Sequence, residues 1–464
     1  MIEVQEQQVE DILQDAIQRI TTSGKDFQLV SITKKIQTTN PVHFFEAALR
    51  LNKERVFWTS AKESFTMTGV GNAFEMDANE NRFSFIESAW EQLRGQAVIY
   101  NPYEVPGTGL VSLGGMDFDP EKKRTELWGD FPSIYFTVPE YLLTKFENEC
   151  YLTVNIKITK EDHVIQLSNQ IRNDERILLS LKELEKQPLE IVQQHDIAPD
   201  QWKQIVQKAT EEISHDQVDK VVLAREVRLK LNRDVNRAAV IEKLIATQSN
   251  SYVFAFEQKN SCFIGASPER LVKIKNKELL STCLAGTAPR GKTNEQDKKI
   301  ANALMQDMKN REEHDFVVQM IKQGVAKYCE QVYVPEVPII YPLKNLQHLY
   351  TPVTGVLKQG HSIFDIVSQL HPTPALGGLP RTASMLFIRE NELLDRGWYG
   401  APVGWFDYNE NGEFAVAIRS GLIQKDEASL FAGCGVVKDS QPEEEFEETR
   451  IKFAPMLSVL GGES

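Results

Sequence analysis

The sequence predicts an α+β fold in which large antiparallel β-sheets pack as a sandwich core with helices outside. Three observations point there. β-rich stretches follow one another across short turn signals, at Lys259-Asn260, Asn276-Lys277 and Asn409–Gly412. Helical periodicity occupies separate long segments and does not alternate one-for-one with strands, which argues against a doubly wound parallel sheet. Composition is that of an ordinary globular chain: of 464 residues 41% are hydrophobic and 25% charged. That length suits two or three domains, or one large integrated unit.

In chain order, residues 3–20 have helical spacing. Residues 27–36 and 56–61 read as strands, followed by β-rich segments around 96–101, 109–118, 126–143 and 151–159. Nothing in this half suggests a catalytic constellation, and residues 1–190 are expected to be an α+β scaffold integrated with the rest. Residues 191–464 are expected to be the catalytic region. There Trp202, Ile205, Val206, Ala209 and Ile213 share one face of a helix over 202–217. A strand follows at 221–231, then a helix at 236–248 and two hairpins. One long charged helix is expected over 295–329, a Pro-rich connector at 334–343, and helices near 362–370 and 383–394. An antiparallel meander then includes 413–423 as a single strand. Ser440 and Glu443 have capping-box spacing for a last helix.

Charge and hydropathy exclude several functions. With 66 acids against 52 bases the net charge is −14, so no nucleic-acid partner is expected. No apolar run is near the roughly 18 residues of a membrane-spanning helix. The acidic, amphipathic start lacks the basic and apolar segments of a signal peptide, and five Cys without a CxxC pair suit a reducing cytosol. A cytoplasmic, membrane-free location is expected.

Candidate chemistry lies in single residues. Lys220 opens an apolar strand, where lost hydration favours the neutral amine and a role as general base; the plainer alternative is a lysine whose head snorkels to water. Glu269 follows Gly-Ala-Ser-Pro between two apolar strands, a setting that keeps a carboxylic acid protonated and able to donate, or simply a solvated turn. Glu312 and Glu313 project about 100° apart on a helix. Glu445 and Glu448 share a face of the last helix, with Lys452 one turn on. Carboxylates from two helices suit Mg²⁺, which takes few protein ligands and keeps waters; the alternative is an acidic surface with an i,i+4 Glu448–Lys452 pair. Arg419, read as sharing a strand face with Ala415 and Ala417, is placed to present a guanidinium to a small carboxylate, unless a cross-strand acid neutralises it. Gly433 and Gly435 allow close approach to backbone. Gly286-Thr287 offers N–H groups to an anion, and His348 and His371 read as structural. Walker A, G-x-S-x-G, G-x-G-x-x-G and H-E-x-x-H motifs are absent.

Taken in order, DKVVLAR, FIGASPERL, LAGTAPRG, EEHDFVV, LQHL, HPTPALGG, WYGAPVGW, FAVAIRSG, FAGCGVV and SQPEEEFEETRIK resemble the chorismate-utilising enzymes across residues 200–460. The likeness is to isochorismate synthases, of the menaquinone type with a longer N-terminal half; residues 1–190 match only loosely. The resemblance implies the chorismate-binding, anthranilate synthase component I-like fold. It implies that Lys220 activates the water attacking C2 of chorismate and that Glu269 protonates the departing C4 hydroxyl. It implies Mg²⁺ on Glu313 and Glu448, with Glu445 on a metal-bound water. Tyr399, Arg419 and Lys452 would bind substrate carboxylates together with the N–H groups of Gly433 and Gly435, and Thr287 and His348 would line the pocket. Lysine at 220 favours water over ammonia as nucleophile, and Ala285 stands where the aminodeoxychorismate branch typically has lysine. No amidotransferase subunit is implied, and a monomer is expected. Salicylate formation, which shares acid, base and metal, and a siderophore-pathway isochorismate synthase are the alternatives; an inactive family member acting as a binding or regulatory subunit would lack at least one of Lys220, Glu269, Glu313 or Glu448, and all four are present.

Overall fold

In the computed structural model of the protein, which describes residues 6–60, 63–78, 82–180, 184, 187–342 and 346–462, the strands form two sheets. The larger has thirteen strands. It runs from the edge strand Ile191–Asp196 through Lys220–Leu231, Glu427–Val436, Ser420–Gln424, Ser261–Ser267 and Tyr252–Gln258. It continues through Arg55–Ser60, Phe65–Val70, Tyr141–Phe146, Glu149–Ile158 and Gln28–Ile36 to Val98–Tyr100, and Gly378–Leu379 pairs beside Lys220–Leu231. The smaller has ten: Cys329–Tyr333, Leu346–Leu357, Glu278–Pro289, Arg270–Lys275, Gly412–Val416, Pro402–Asp407, Val111–Met116, Ile134–Val138 and Phe74–Ala78, with Ile339–Pro342 beside Leu346–Leu357. Among the described residues every ladder is antiparallel except Gln28–Ile36 with Val98–Tyr100. Strands from residues before and after 190 share both sheets.

The sheets bury their facing sides against each other. Trp58, Phe254, Phe263 and Phe431 of the larger meet Leu113, Tyr135, Trp405 and Ala415 of the smaller, with Trp128 and Trp398 wedged among them. Each leucine or phenylalanine side chain so removed from water contributes about 1.5–3 kcal/mol. Outside, Arg82–Gln96, Met308–Ala326 and Ile363–Leu370 cover the smaller sheet, while Arg237–Thr247 and Pro442–Val459 cover the larger. No helix of the described residues is long and apolar enough to cross a membrane.

The chain passes between sheets at sharp corners. Ser261–Ser267 of the larger sheet leads across Pro268-Glu269 into Arg270–Lys275 of the smaller. Gly412–Val416 of the smaller leads across Ala417–Arg419 into Ser420–Gln424 of the larger. The expected single strand at 413–423 is therefore two strands in different sheets, because Arg419 adopts φ +53° and breaks the alternation. The two corners are laced together by Val416 N–H to Glu269 C=O (3.1 Å) and Ala266 N–H to Arg419 C=O (3.1 Å).

Other expectations also change. The charged helix at 295–329 is two helices, Asn294–Gln306 and Met308–Ala326, separated at Asp307. Asp307 is extended (ψ 110°) and its carboxylate accepts the Asn310 N–H, the capping role for which aspartate is favoured. The Pro-rich connector includes the strand Ile339–Pro342. The last helix is Pro442–Val459 with Gln441 as its cap residue. Ser440 Oγ instead accepts the Val437 N–H and donates to Glu445 Oε1 at 2.6 Å, so no capping box forms. Residues 3–5, 61 and 343 of the expected elements lie outside the described residues.

Candidate active site

Lys220 is the first residue of its strand, paired so that Val222 faces Gly435 and Ala224 faces Gly433. Its side chain runs over Gly435: a Cβ there would stand 2.6 Å from Lys220 Cε, so any other residue would push the end of the lysine aside. The amine ends 2.9 Å from Glu313 Oε1. The lysine is thus mostly covered, as its apolar strand suggests, but it is held in an ion pair and is not a lone dehydrated amine. Of the adjacent acids on Met308–Ala326, Glu313 is the one that turns to it.

Glu269 and Arg419 sit on the two laced corners. The Glu269 carboxyl has no hydrogen-bond partner among the described residues, and burial alone pushes it up to about 7. Proline before it starts the turn, and the Ser267 hydroxyl accepts its N–H at 3.2 Å. The Arg419 guanidinium likewise has no hydrogen bond or ion pair among the described residues. Burial lowers its pKa, opposed by the field of Tyr399 and Glu448. A cross-strand acid does not neutralise it, so the sequence alternative of a structural ion pair is not realised. The expected floor of Ala415, Ala417 and Arg419 is replaced by the corner itself.

Thr287 and His348 face each other across the ladder, with Thr287 Oγ1 3.0 Å from His348 Nδ1. Burial, reinforced by Arg419 and Lys452, pushes His348 down to about 4, so its ring is neutral near pH 7. The N–H of Thr287 is not free for an anion: it donates to Asn310 Oδ1 at 3.3 Å. Asn310 is a residue that sequence reading passed over, although its place three residues after the capping Asp307 was a usable signal. The Tyr399 ring lies 5.4 Å from that of Phe431, and its hydroxyl stands over Gly433, where a Cβ would meet it at 3.4 Å. Burial raises the Tyr399 phenol, so it remains a donor.

Beyond Phe431 the strand Glu427–Val436 has no partner on the Ser420–Gln424 side, which leaves one edge of Gly433–Gly435 open. Lys452 reaches it, donating to Gly433 C=O at 2.8 Å and to Glu448 Oε1 at 2.6 Å. The i,i+4 pair anticipated as the plain alternative for Glu448 therefore exists, inside the site. Glu445 Oε2 is buried without a hydrogen-bond partner, near Cys434, whose thiol pKa burial raises, with Glu445 adding to it. Glu269 and Glu313 both lie within electrostatic reach of the Cys283 thiol. One region therefore collects Lys220, Glu269, Thr287, Glu313, His348, Tyr399, Arg419, Gly433, Gly435, Glu448 and Lys452, with Glu445 behind it. A cavity of about 710 Å³ lies elsewhere, lined by His195, Arg225, Glu226 and Arg228 among others, where Arg228 pairs with Glu226 and Arg225 with Asp196.

Among the described residues no three His, Cys, Asp or Glu side chains converge on a metal position. The half-exposed carboxylates of Glu313 and Glu448 are oxygen donors of the kind Mg²⁺ takes when water and substrate complete its shell, and Glu445 Oε2 is a buried oxygen without a hydrogen-bond partner.

Comparison with known proteins extends this reading. The profile of a family described as chorismate binding enzyme matches residues 15–461. The isochorismate synthase MenF of Bacillus subtilis is 39% identical over 455 residues, covering 94% of each chain. The salicylate biosynthesis isochorismate synthase of Pseudomonas aeruginosa is 34% identical over 442 residues, covering 94% of this chain and 91% of the other. Among solved structures, the menaquinone-specific isochorismate synthase MenF of Escherichia coli superposes with a TM-score of 0.80 at 24% identity, over 97% of this chain and 99% of that one. Anthranilate synthase component I from Streptococcus pneumoniae superposes with a TM-score of 0.69 at 20% identity, over 86% and 92%. These two establish the shared fold.

Proposed function

Because the chain belongs to the chorismate-binding enzyme family, we propose that it is an isochorismate synthase serving menaquinone synthesis, with Mg²⁺ as cofactor. The observation that carries the proposal is the contrast within one site. Burial raises the pKa of a carboxylic acid to about 7, a strand lysine lies over a glycine, and an arginine has no hydrogen-bond or ion-pair partner among the described residues. The likeness to the Bacillus subtilis enzyme supports the choice of reaction.

Lys220 takes a proton from water as the water oxygen bonds to ring carbon C2. The ring double bonds shift, and the C4–O bond breaks. Glu269 gives its proton to the departing hydroxyl, which leaves as water, so atoms balance and the product is an isomer of the substrate. In the ion pair with Glu313 the lysine is an ammonium, so it first releases a proton to solvent, and only the neutral amine then takes one from the attacking water. A positioned acid and base contribute about 10²- to 10⁴-fold each. Arg419, Tyr399 and Lys452 orient the substrate carboxylates, with the open edge of Gly433–Gly435. Neutral His348, held by Thr287, lines the pocket without adding charge. Glu313 and Glu448 would hold Mg²⁺, with Glu445 behind them, and the ion when bound supplies positive charge to an acidic protein acting on a dianion. The enzyme acts as a cytoplasmic monomer with no amidotransferase subunit.

Incubating the pure protein with chorismate and Mg²⁺ and separating the products tests this. Isochorismate alone is expected. Salicylate with pyruvate would move the protein to the salicylate branch, and anthranilate on adding ammonia would refute water as nucleophile.

A further inference from the structure

Three residues of the helix Met308–Ala326, spaced i, i+3 and i+4, face the sheets together: Asn310, Glu313 and His314. Glu313 reaches Lys220 in the larger sheet. The other two bind the smaller sheet at one irregularity, the register shift between Ala285 and Thr287. Gly286 takes φ +73° there, and a Cβ on it would stand 3.3 Å from both Cβ and C=O of Asn310. Glycine thus lets the helix lie directly on the strand.

Each contact is directional. Asp307 Oδ1 accepts from both the backbone N–H and the side-chain amide of Asn310 (2.8 and 3.0 Å). That orients the amide so that its oxygen accepts the Thr287 N–H. His314 is fully buried; its Nδ1 lies 3.1 Å from Ala285 C=O and its Nε2 2.7 Å from Thr351 Oγ1. A carbonyl only accepts, so Nδ1 carries the proton and Nε2 accepts the threonine hydroxyl. Two bonds from a rigid ring to two adjacent strands fix the rotation of the helix about its axis. Rotation decides whether Glu313 meets Lys220, because neighbouring helix positions point about 100° apart.

We propose that Asn310 and His314 are positioning residues, a two-point clamp on the Ala285–Thr287 bulge that aims Glu313 into the site and so sets its capacity to hold Mg²⁺. This rests on the reading of Glu313 as a metal ligand. It extends that reading to residues that touch neither substrate nor metal.

The test is calorimetric titration of the substrate-free, full-length protein with Mg²⁺, on variants whose thermal melts show them folded. Asn310→Ala and His314→Leu are each expected to weaken binding by about 10-fold, the scale on which supporting partners of metal ligands act. His314→Asn, which restores an N–H at the Nδ1 position, is expected to return to within about 3-fold of the parent. If His314→Leu does not fold, the partly exposed Asn310 carries the test. Parent-like titrations for Asn310→Ala and His314→Leu, alongside a weakened Glu313→Gln, would overturn the clamp and leave the metal assignment standing. Failure of His314→Asn to recover would show that packing and not the hydrogen bond is at work, and would overturn it as well. A parent-like Glu313→Gln would remove the metal assignment itself, and with it anything for the clamp to position.

Discussion

The two halves of the protein build the same corner twice and use it differently. In the N-terminal half, Phe65–Val70 of the larger sheet crosses into Phe74–Ala78 of the smaller, and Ile134–Val138 returns to Tyr141–Phe146. These crossings are laced by Ala73 N–H to Val138 C=O at 2.9 Å, as the later pair is laced through Glu269 and Arg419. Yet the polar side chains of the early crossing segments, Asn72 and Glu140, are paired. Asn72 donates to Glu54 and accepts from Thr137, and Glu140 pairs with Lys53. At the later corner Glu269 and Arg419 have no hydrogen-bond or ion-pair partner among the described residues. Leaving a carboxyl and a guanidinium unpaired at a covered corner costs stability, and this corner is the one with chemistry to perform. A corner becomes a site when its side chains are left for a ligand to satisfy.

The sharpest way to break this comparison is at the proton-transfer pair. Lys220→Ala and Glu269→Gln should each lower turnover by at least about 10²-fold with folding intact, and near-parent rates in either would remove it from the mechanism. Gly435→Ala drives a methyl against Lys220 Cε. It should lower kcat by roughly 10- to 100-fold, since misplacing a reacting group by about 1 Å has that effect, and steady-state assay decides it. Arg419→Met should raise KM for chorismate about 10-fold, the worth of one charge-assisted contact of about 1.5 kcal/mol, with kcat changed less. The matched change at the early corner, Asn72→Ala, should cost about 1–2 kcal/mol in denaturant unfolding and leave kcat and KM as they are. An activity loss there would erase the distinction between the corners.

A further effect concerns pH. Glu269 titrates near 7 when folded, against an ordinary value of 4.5, so turnover that needs its proton should fall as pH rises through about 7. The sign for stability follows: the unfolded chain releases this proton first, so stability present below about pH 4.5 is lost as pH rises to 7. Glu269→Gln lacks that loss. It should exceed the parent above pH 7 by at most a few kcal/mol, at about 1.4 kcal/mol for each pH unit of displacement. Equal melting temperatures at pH 8 would contradict the burial of this carboxyl.

Much of the architecture was legible because hairpin turns and helix faces are local. Asn276 and Lys277 take left-handed φ at the turn expected of them, and Trp202, Val206, Ala209 and Ile213 are buried along one helix face. What was missed depended on non-local partners. The long charged segment has helical composition throughout, and only the demand that Glu313, Asn310 and His314 meet particular strands shows why Asp307 interrupts it. Likewise EFAVAIRSG alternates cleanly as a strand, and its break at Arg419 answers to two sheets that a sequence window does not contain.

The sequence alone determined which residue types were available: a lysine opening an apolar strand, an acid after Ser-Pro, an arginine among alanines, acids on two helices. Those follow from composition, period and motif order, which are properties of the chain read along its length. Only the tertiary structure decided the pairings, Lys220 with Glu313 and Lys452 with Glu448 and Gly433, and left Glu269 and Arg419 without a partner among the described residues. Ion pairing and desolvation act over a few ångströms through space, between residues such as Lys220 and Glu313 that are 93 positions apart in the chain.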